Sequence, residues 1–198
     1  MKPDLYDQFA PVPLAARFPI ELRPPAGFQA DDPSTWPTVA GRLEYVGRRL
    51  LYMPPSGGIQ QGVSASVVAI LVRWAGEREG FWVGGNEAGM LLDGDVRAAD
   101  AAVWRRTDSI PGGYLRIPPV LVAEIAGQDD GEDTLRDKAA WYLQHGVSTV
   151  WLVLPAVREV VVVRADREAR YGPAQSLAAD PAVPGLEPVV ASFFAQLD

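Results

Sequence analysis

The segment PVLVAEIA (119–126) constrains the fold more than any other part of this chain. A run that is apolar at successive positions has no polar face to turn to water. It suits a central strand covered on both sides, the arrangement of α/β sheets flanked by helices. The one interruption is Glu124. A carboxylate inside such a strand is costly to bury unless it is paired, hydrogen-bonded or bound to a cation.

The segments on either side fit the same plan. DTLRDKAAWYLQH (133–145) predicts a helix that stops at Gly146, and STVWLVLP followed by REVVVVRA predicts two further strong strands joined by a hairpin-length connection. Upstream, RLEYVGRRLLYM reads as two short strands turning at Val46-Gly47. Residues 60–79 place Val63, Val67, Ile70, Leu71 and Trp74 at helical spacing, with Gly80 as the stop. FWVGG, AGMLLDG and AADAAVW are short strand-like pieces, PGGYLRIPP is a loop and GQDDGED an acidic turn. The tail LEPVVASFFAQL reads as a strand-to-helix closure. Strands, helix, strands, helix, strands is the order of a mixed α/β sheet with helices packed on it.

With 198 residues the chain matches one domain of ordinary size. Residues 1–38 hold 8 of its 18 prolines, which break helices and central strands. They are expected to form an extended N-terminal arm ahead of a domain spanning 39–198. The chain has no cysteine, which excludes disulfides and thiolate metal sites. The first residues lack the apolar core of a signal peptide, and no apolar stretch approaches the ~20 residues that span a bilayer, so a cytoplasmic protein is expected. The net charge of −7 opposes tight nonspecific binding to DNA and suits an acidic site that gathers divalent cations.

Three residues carry the candidate chemistry. Asp100 lies in AADAAVW, Glu124 in PVLVAEIA and Lys138 on the helix that follows. Two carboxylates on neighbouring strands can hold a hard cation, which polarises a phosphate and acidifies a bound water. The amine can reach back over the sheet end and stabilise charge on the reacting phosphate. Each residue has a plainer alternative: a turn-capping aspartate, a glutamate on an exposed strand edge, a lysine on a solvated helix face.

The block from Pro118 to Pro155 also carries Pro119, Asp137, Tyr142, Gly146, Val147 and Trp151 in an order that resembles the restriction endonuclease family Uma2, of the PD-(D/E)XK nuclease superfamily. The resemblance extends over roughly residues 42–195. It implies a restriction-endonuclease-like fold and a Mg²⁺- or Mn²⁺-dependent endonuclease, with DNA as the substrate. It places metal ligands at Asp100 and Glu124, the catalytic lysine at Lys138 and an assisting acid at Glu44. The chain departs from the family at Ala99 (usually proline), at Ala126-Gly127-Gln128 (usually with serine, and with the superfamily's lysine at 126) and at Gln60 or Gln61 (often histidine). These losses, with the net acidity, also fit a nuclease-fold module that binds or assembles without cutting.

His145, the only histidine, is expected to interact with a helix C-terminus. Arg97, Arg105, Arg106 and Arg136 could join Lys138 in a phosphate-binding rim. Gly57-Gly58 and Gly84-Gly85 read as turns rather than nucleotide loops. An exposed valine strand at 160–163 would favour a homodimer.

Overall fold

Turn chemistry closes the first two hairpins. Gly47 and Arg48 both take positive φ (58° and 66°), as do Asp93 and Gly94 (51° and 88°). Two successive left-handed residues match the twist of an antiparallel pair and fold it tightly. The first turn joins β2 (Arg42–Val46) to β3 (Arg49–Met53), the second β4 (Phe81–Leu92) to β5 (Asp95–Arg105). The computed structural model describes residues 18–106, 113–127 and 131–198.

β1 (Ile20–Leu22), β6 (Leu121–Ile125), β7 (Thr149–Leu154), β8 (Glu159–Val163) and β9 (Glu168–Tyr171) complete one mixed sheet. Its order is β1-β3-β2-β5-β6-β7-β8-β9, with β4 pairing β5 off this path. β6 runs antiparallel to β5 and parallel to β7, and all five of its residues are buried. It is the covered central strand that its apolar run requires.

Helix α1 (Gly58–Gly76) and a C-terminal 3-10 helix (Val190–Leu197) cover one face, where Val63, Leu71, Phe193 and Phe194 pack on Val103, Ala123 and Trp151. Helix α2 (Glu132–Gln144) covers the other, where Leu135, Ala139 and Tyr142 pack on Trp104, Val122 and Leu152.

Several expectations shift in detail. α1 starts two residues before the expected 60 and ends at Gly76, ahead of the glycine taken as its stop. FWVGG and AGMLLDG form one strand, β4, interrupted by a bulge between Gly85 and Ala88. The tail is a single isolated bridge, Ser176 with Val189, followed by a 3-10 helix rather than an α-helix. The valine strand is not an edge, because β8 is paired on both sides by β7 and β9. Within the expected arm, β1 adds to the sheet beside β3. Residues 1–17, part of the expected PGGYLRIPP loop and the centre of the acidic turn lie outside the described residues.

Leu152 is fully buried and stands opposite Glu124 in the β6–β7 register. Leu152→Ala should cost about 2–5 kcal/mol of stability, read from denaturant unfolding.

Candidate active site

The site forms where the sheet forks. β5 pairs β6 through Ala101, Ala102 and Val103, but pairs β2 only at Val96. Between these contacts the β4 bulge sets two residues of β4 opposite Asp100. Side-chain alternation breaks there: Ala99 packs in the α2-side core, Ala101 in the α1-side core and Ala102 in the α2-side core again. Bulges re-aim side chains in this way.

Asp100 is thereby turned into the fork. Its Oδ2 accepts the Ile125 N–H at 2.8 Å, in place of a backbone carbonyl. The Gln60 amide, from the first turn of α1, donates to the Ile125 carbonyl at 3.1 Å and lies 3.5 Å from the same Asp100 oxygen. Arg42 Nη1 of β2 faces Asp100 Oδ1 at 3.6 Å. On the α2 side, Glu124 accepts from Lys138 Nζ at 2.9 Å and from the Tyr142 hydroxyl at 2.6 Å. Glu44 is held by Arg97 Nη1 at 2.9 Å and by the Ala98 N–H at 3.4 Å.

All six charged groups are largely inaccessible, with Glu44 and Glu124 each 1% exposed. Three carboxylates (Glu44, Asp100, Glu124) face three cations (Arg42, Arg97, Lys138), so the cluster is neutral as it stands.

Burial raises the Asp100 carboxyl, and the nearby Glu124 charge raises it further. Arg42, the Ile125 N–H and Lys138 oppose this only in part, leaving it at about 6 against an ordinary 3.8. Burial also pushes Glu124 up, but Lys138, Arg42 and the Tyr142 hydroxyl outweigh it and hold this carboxyl below its usual range. Lys138 is disfavoured as a cation by burial, yet the Glu124 and Glu44 charges carry it above its ordinary value. It is a fixed positive charge rather than a base. Tyr142 is raised well above its usual range, by burial first and Glu124 second, so its hydroxyl remains a donor.

The sequence candidates Asp100, Glu124 and Lys138 thus come together, with Glu44 in the same charge cluster. Arg42 was not anticipated as a member, and Arg97 was expected only in a phosphate-binding rim. The visible clue was the parity of β2: Arg42, Glu44 and Val46 are its buried positions, while Leu43 and Tyr45 are only half-buried. A charged residue two positions before a buried glutamate on a strand shares its face. The arginine rim is not assembled. Arg97 is committed to Glu44, Arg136 to Glu132 and Glu168, Arg105 stacks over Phe81, and Arg106 lines a separate cleft at the end of α1. His145 follows α2 directly, stacked on Trp141 with its Nδ1 2.7 Å from the Trp141 carbonyl.

A family profile described as "Uma2: Putative restriction endonuclease" matches residues 32–194, most of the chain. The chain belongs to the Uma2 family. No curated protein sequence matches it. Among solved structures, a protein from Anabaena variabilis titled "putative nuclease belonging to DUF820" superposes with a TM-score of 0.74 at 17% identity, over 86% of this chain and 99% of that one. The likeness is one of fold. Among the described residues of this Uma2 protein, no helix is long and apolar enough to cross a membrane.

A hard divalent cation, which the family implies, needs oxygen donors. Among the described residues no group of three or more acidic or histidine side chains converges as a cation cage. Mg²⁺ is commonly held by one or two carboxylates, with water and substrate phosphate completing its shell. Asp100 and Glu124 are the two carboxylates of this site that such a form would use, and both Glu124 oxygens accept hydrogen bonds here, from Lys138 and Tyr142.

Two outcomes follow from the electrostatics. Between about pH 3.8 and 6 the folded protein binds a proton at Asp100 that the unfolded chain has released. Its contribution is therefore fully present below 3.8 and lost as pH rises through 6. Thermal melts at pH 5 and 7 should show Asp100→Asn losing this component of acid stabilisation. Tyr142→Phe removes a buried donor from Glu124 and should cost about 1–3 kcal/mol, while raising the Glu124 carboxyl in an NMR titration.

Proposed function

We propose that this Uma2 protein is a divalent-cation-dependent endonuclease that hydrolyses phosphodiesters in DNA. The observation that carries this reading is the convergence of two buried carboxylates from neighbouring strands with one protonated lysine at a fork in the sheet. Family membership supports the same class of chemistry.

Asp100 and Glu124 would hold Mg²⁺ or Mn²⁺. When bound, the cation supplies charge neutralisation at the phosphate and a more acidic water. The remaining work belongs to the chain. Lys138 keeps its proton and offers a preorganised positive charge to an oxygen that becomes more negative during displacement. Tyr142 fixes the orientation of Glu124 through its short hydroxyl bond. Gln60 and the Ile125 N–H fix Asp100. Glu44, held by Arg97 and a backbone amide, would assist from the β2–β5 side of the site. In place of the superfamily's strand lysine stands Ala126, and Lys138 delivers the amine from the helix instead.

A second reading is favoured by one specific observation. The cluster is neutral without a bound ion, and both Glu124 oxygens already accept hydrogen bonds. A nuclease-fold module that has lost cutting would look like this too.

Calorimetric titration with Mn²⁺ and digestion of linear, circular and single-stranded DNA separate the two. The nuclease reading expects saturable Mn²⁺ binding, abolished in Glu124→Gln and Asp100→Asn together with cleavage. It expects Lys138→Met to bind Mn²⁺ but to cut about 10²–10³-fold more slowly. Wild-type protein that neither binds the ion nor cuts any DNA form leaves the binding-module reading.

A further inference from the structure

The connection from β3 to α1, residues 54–57, forms one wall of a cleft of about 740 Å³, within the size range of ligand sites. Phe18, Met53, Pro54, Ile59, Val157 and Leu197 give much of its lining an apolar character. Ile59 and Val157 are 54% and 57% exposed, the two most exposed large apolar side chains among the described residues. Both standing in the wall of one cleft, they form an apolar patch rather than scattered surface residues. Asp100 lines a different groove, between α1 and the β4 bulge, so the acid pair can be reached with this cleft filled.

The chain itself indicates what the cleft takes. Phe18 sits in its wall and leads into β1, with its ring 6.3 Å from that of Tyr52 between centroids. The chain preceding Phe18 therefore starts from the cleft. Residues 9–16, FAPVPLAA, are uncharged and apolar, with the nearest charges at Asp7 and Arg17. Pro11 and Pro13 have no backbone N–H, so an extended run through them leaves few donors to satisfy against an apolar wall. Extended proline-rich segments dock in apolar and aromatic grooves on this basis. Val12 and Leu14 precede Phe18 by six and four residues, a reach of roughly 12–19 Å at the polyproline rise. Attachment over so short a span gives a local concentration on the order of millimolar.

We propose that this cleft is the docking site of the chain's own N-terminal segment, with Val12 and Leu14 packed against Ile59 and Val157. The segment then clamps the β3–α1 connection from outside. That connection delivers Gln60, which braces Asp100 and the Ile125 carbonyl. The inference rests on the apolar wall and on where the chain meets it, and it is independent of the nuclease reading.

The chain has no cysteine, so an introduced pair is its only pair of thiols. Two full-length double variants are oxidised at low protein concentration: Val12→Cys with Val157→Cys, and Leu14→Cys with Ile59→Cys. A disulfide within one chain is expected in at least one of them, read as a monomer of raised mobility on a non-reducing gel. Val12→Cys with Ile117→Cys is the control and should stay reduced. Ile117 is also an exposed apolar residue, but it adjoins Pro118, whose ring lies at Gly146, past the end of α2 opposite to the cleft.

A dye that fluoresces on apolar surface gives the second readout. Full-length Val12→Asp/Leu14→Asp should bind it several-fold more than wild type, and a peptide of residues 8–18 should reverse the rise. Ile59→Asp in the same background should prevent that reversal. Disulfides between two chains at low concentration assign the cleft to a second copy's segment and overturn the inference. So do the absence of a disulfide in both pairs, an equal yield in the Ile117 control, and unchanged dye binding in Val12→Asp/Leu14→Asp. No readout uses metal or DNA. Failure here leaves the nuclease reading standing, and failure to cleave DNA leaves this contact standing.

Discussion

Two carboxylates do the work of missing backbone carbonyls, and the rest of the site depends on it. Where β5 passes from β6 to β2, the ladder of main-chain hydrogen bonds is interrupted. The Ile125 N–H is answered by Asp100 and the Ala98 N–H by Glu44. Buried amides must find acceptors, and at this fork carboxylate side chains supply them. Once buried, those acids must be neutralised in turn, and that brings in Arg97, Arg42 and, around Glu124, Lys138. The charge cluster is thus a structural consequence of how the sheet divides, and chemistry is built on groups that the fold already needs.

This arrangement also explains the division of labour between the two helices. α2 presents Lys138 and Tyr142, one turn apart, and fixes the glutamate from above. α1 presents Gln60, which braces the strand carrying that glutamate from the opposite face. Glu124 and Asp100 consequently differ in character, although both are buried acids on adjacent strands. In one the surrounding cations outweigh burial and hold the carboxyl below its usual range, while in the other burial wins and raises it to about 6.

Much of this was legible in the chain. The unbroken apolar text of 119–126 marked β6 as central, and helical spacing marked α1 and α2, because burial on one or two faces leaves a direct periodic trace. Asp100 and Glu124 stood out as charges in otherwise apolar surroundings, and family resemblance aligned Lys138 with them. Arg42 did not stand out, since arginine near a hairpin is ordinary on a surface, and Arg97 was read as part of a phosphate-binding rim rather than as the partner of Glu44. Only the fold reveals that their strands converge. The bulge was half-visible, as the gap between FWVGG and AGMLLDG, but nothing local told that the gap lies opposite Asp100. Long-range register is set by packing, and β9 was missed for the same reason: its pattern of alternate half-burial exists only because β8 is already there.

The bulge makes chain length, rather than side-chain identity, the quantity that this part of β4 must preserve. Glu87 sits there with φ at 64°, and the pairing slips by one residue between Gly85 and Ala88. Removing a single residue would bring both halves of the hairpin into continuous register and flip the aspartate out of the fork, leaving a better-formed sheet with no acid pair. Mutational drift at 86–87 should therefore be permissive toward exchange and intolerant of deletion, a signature readable in any set of variants selected for function.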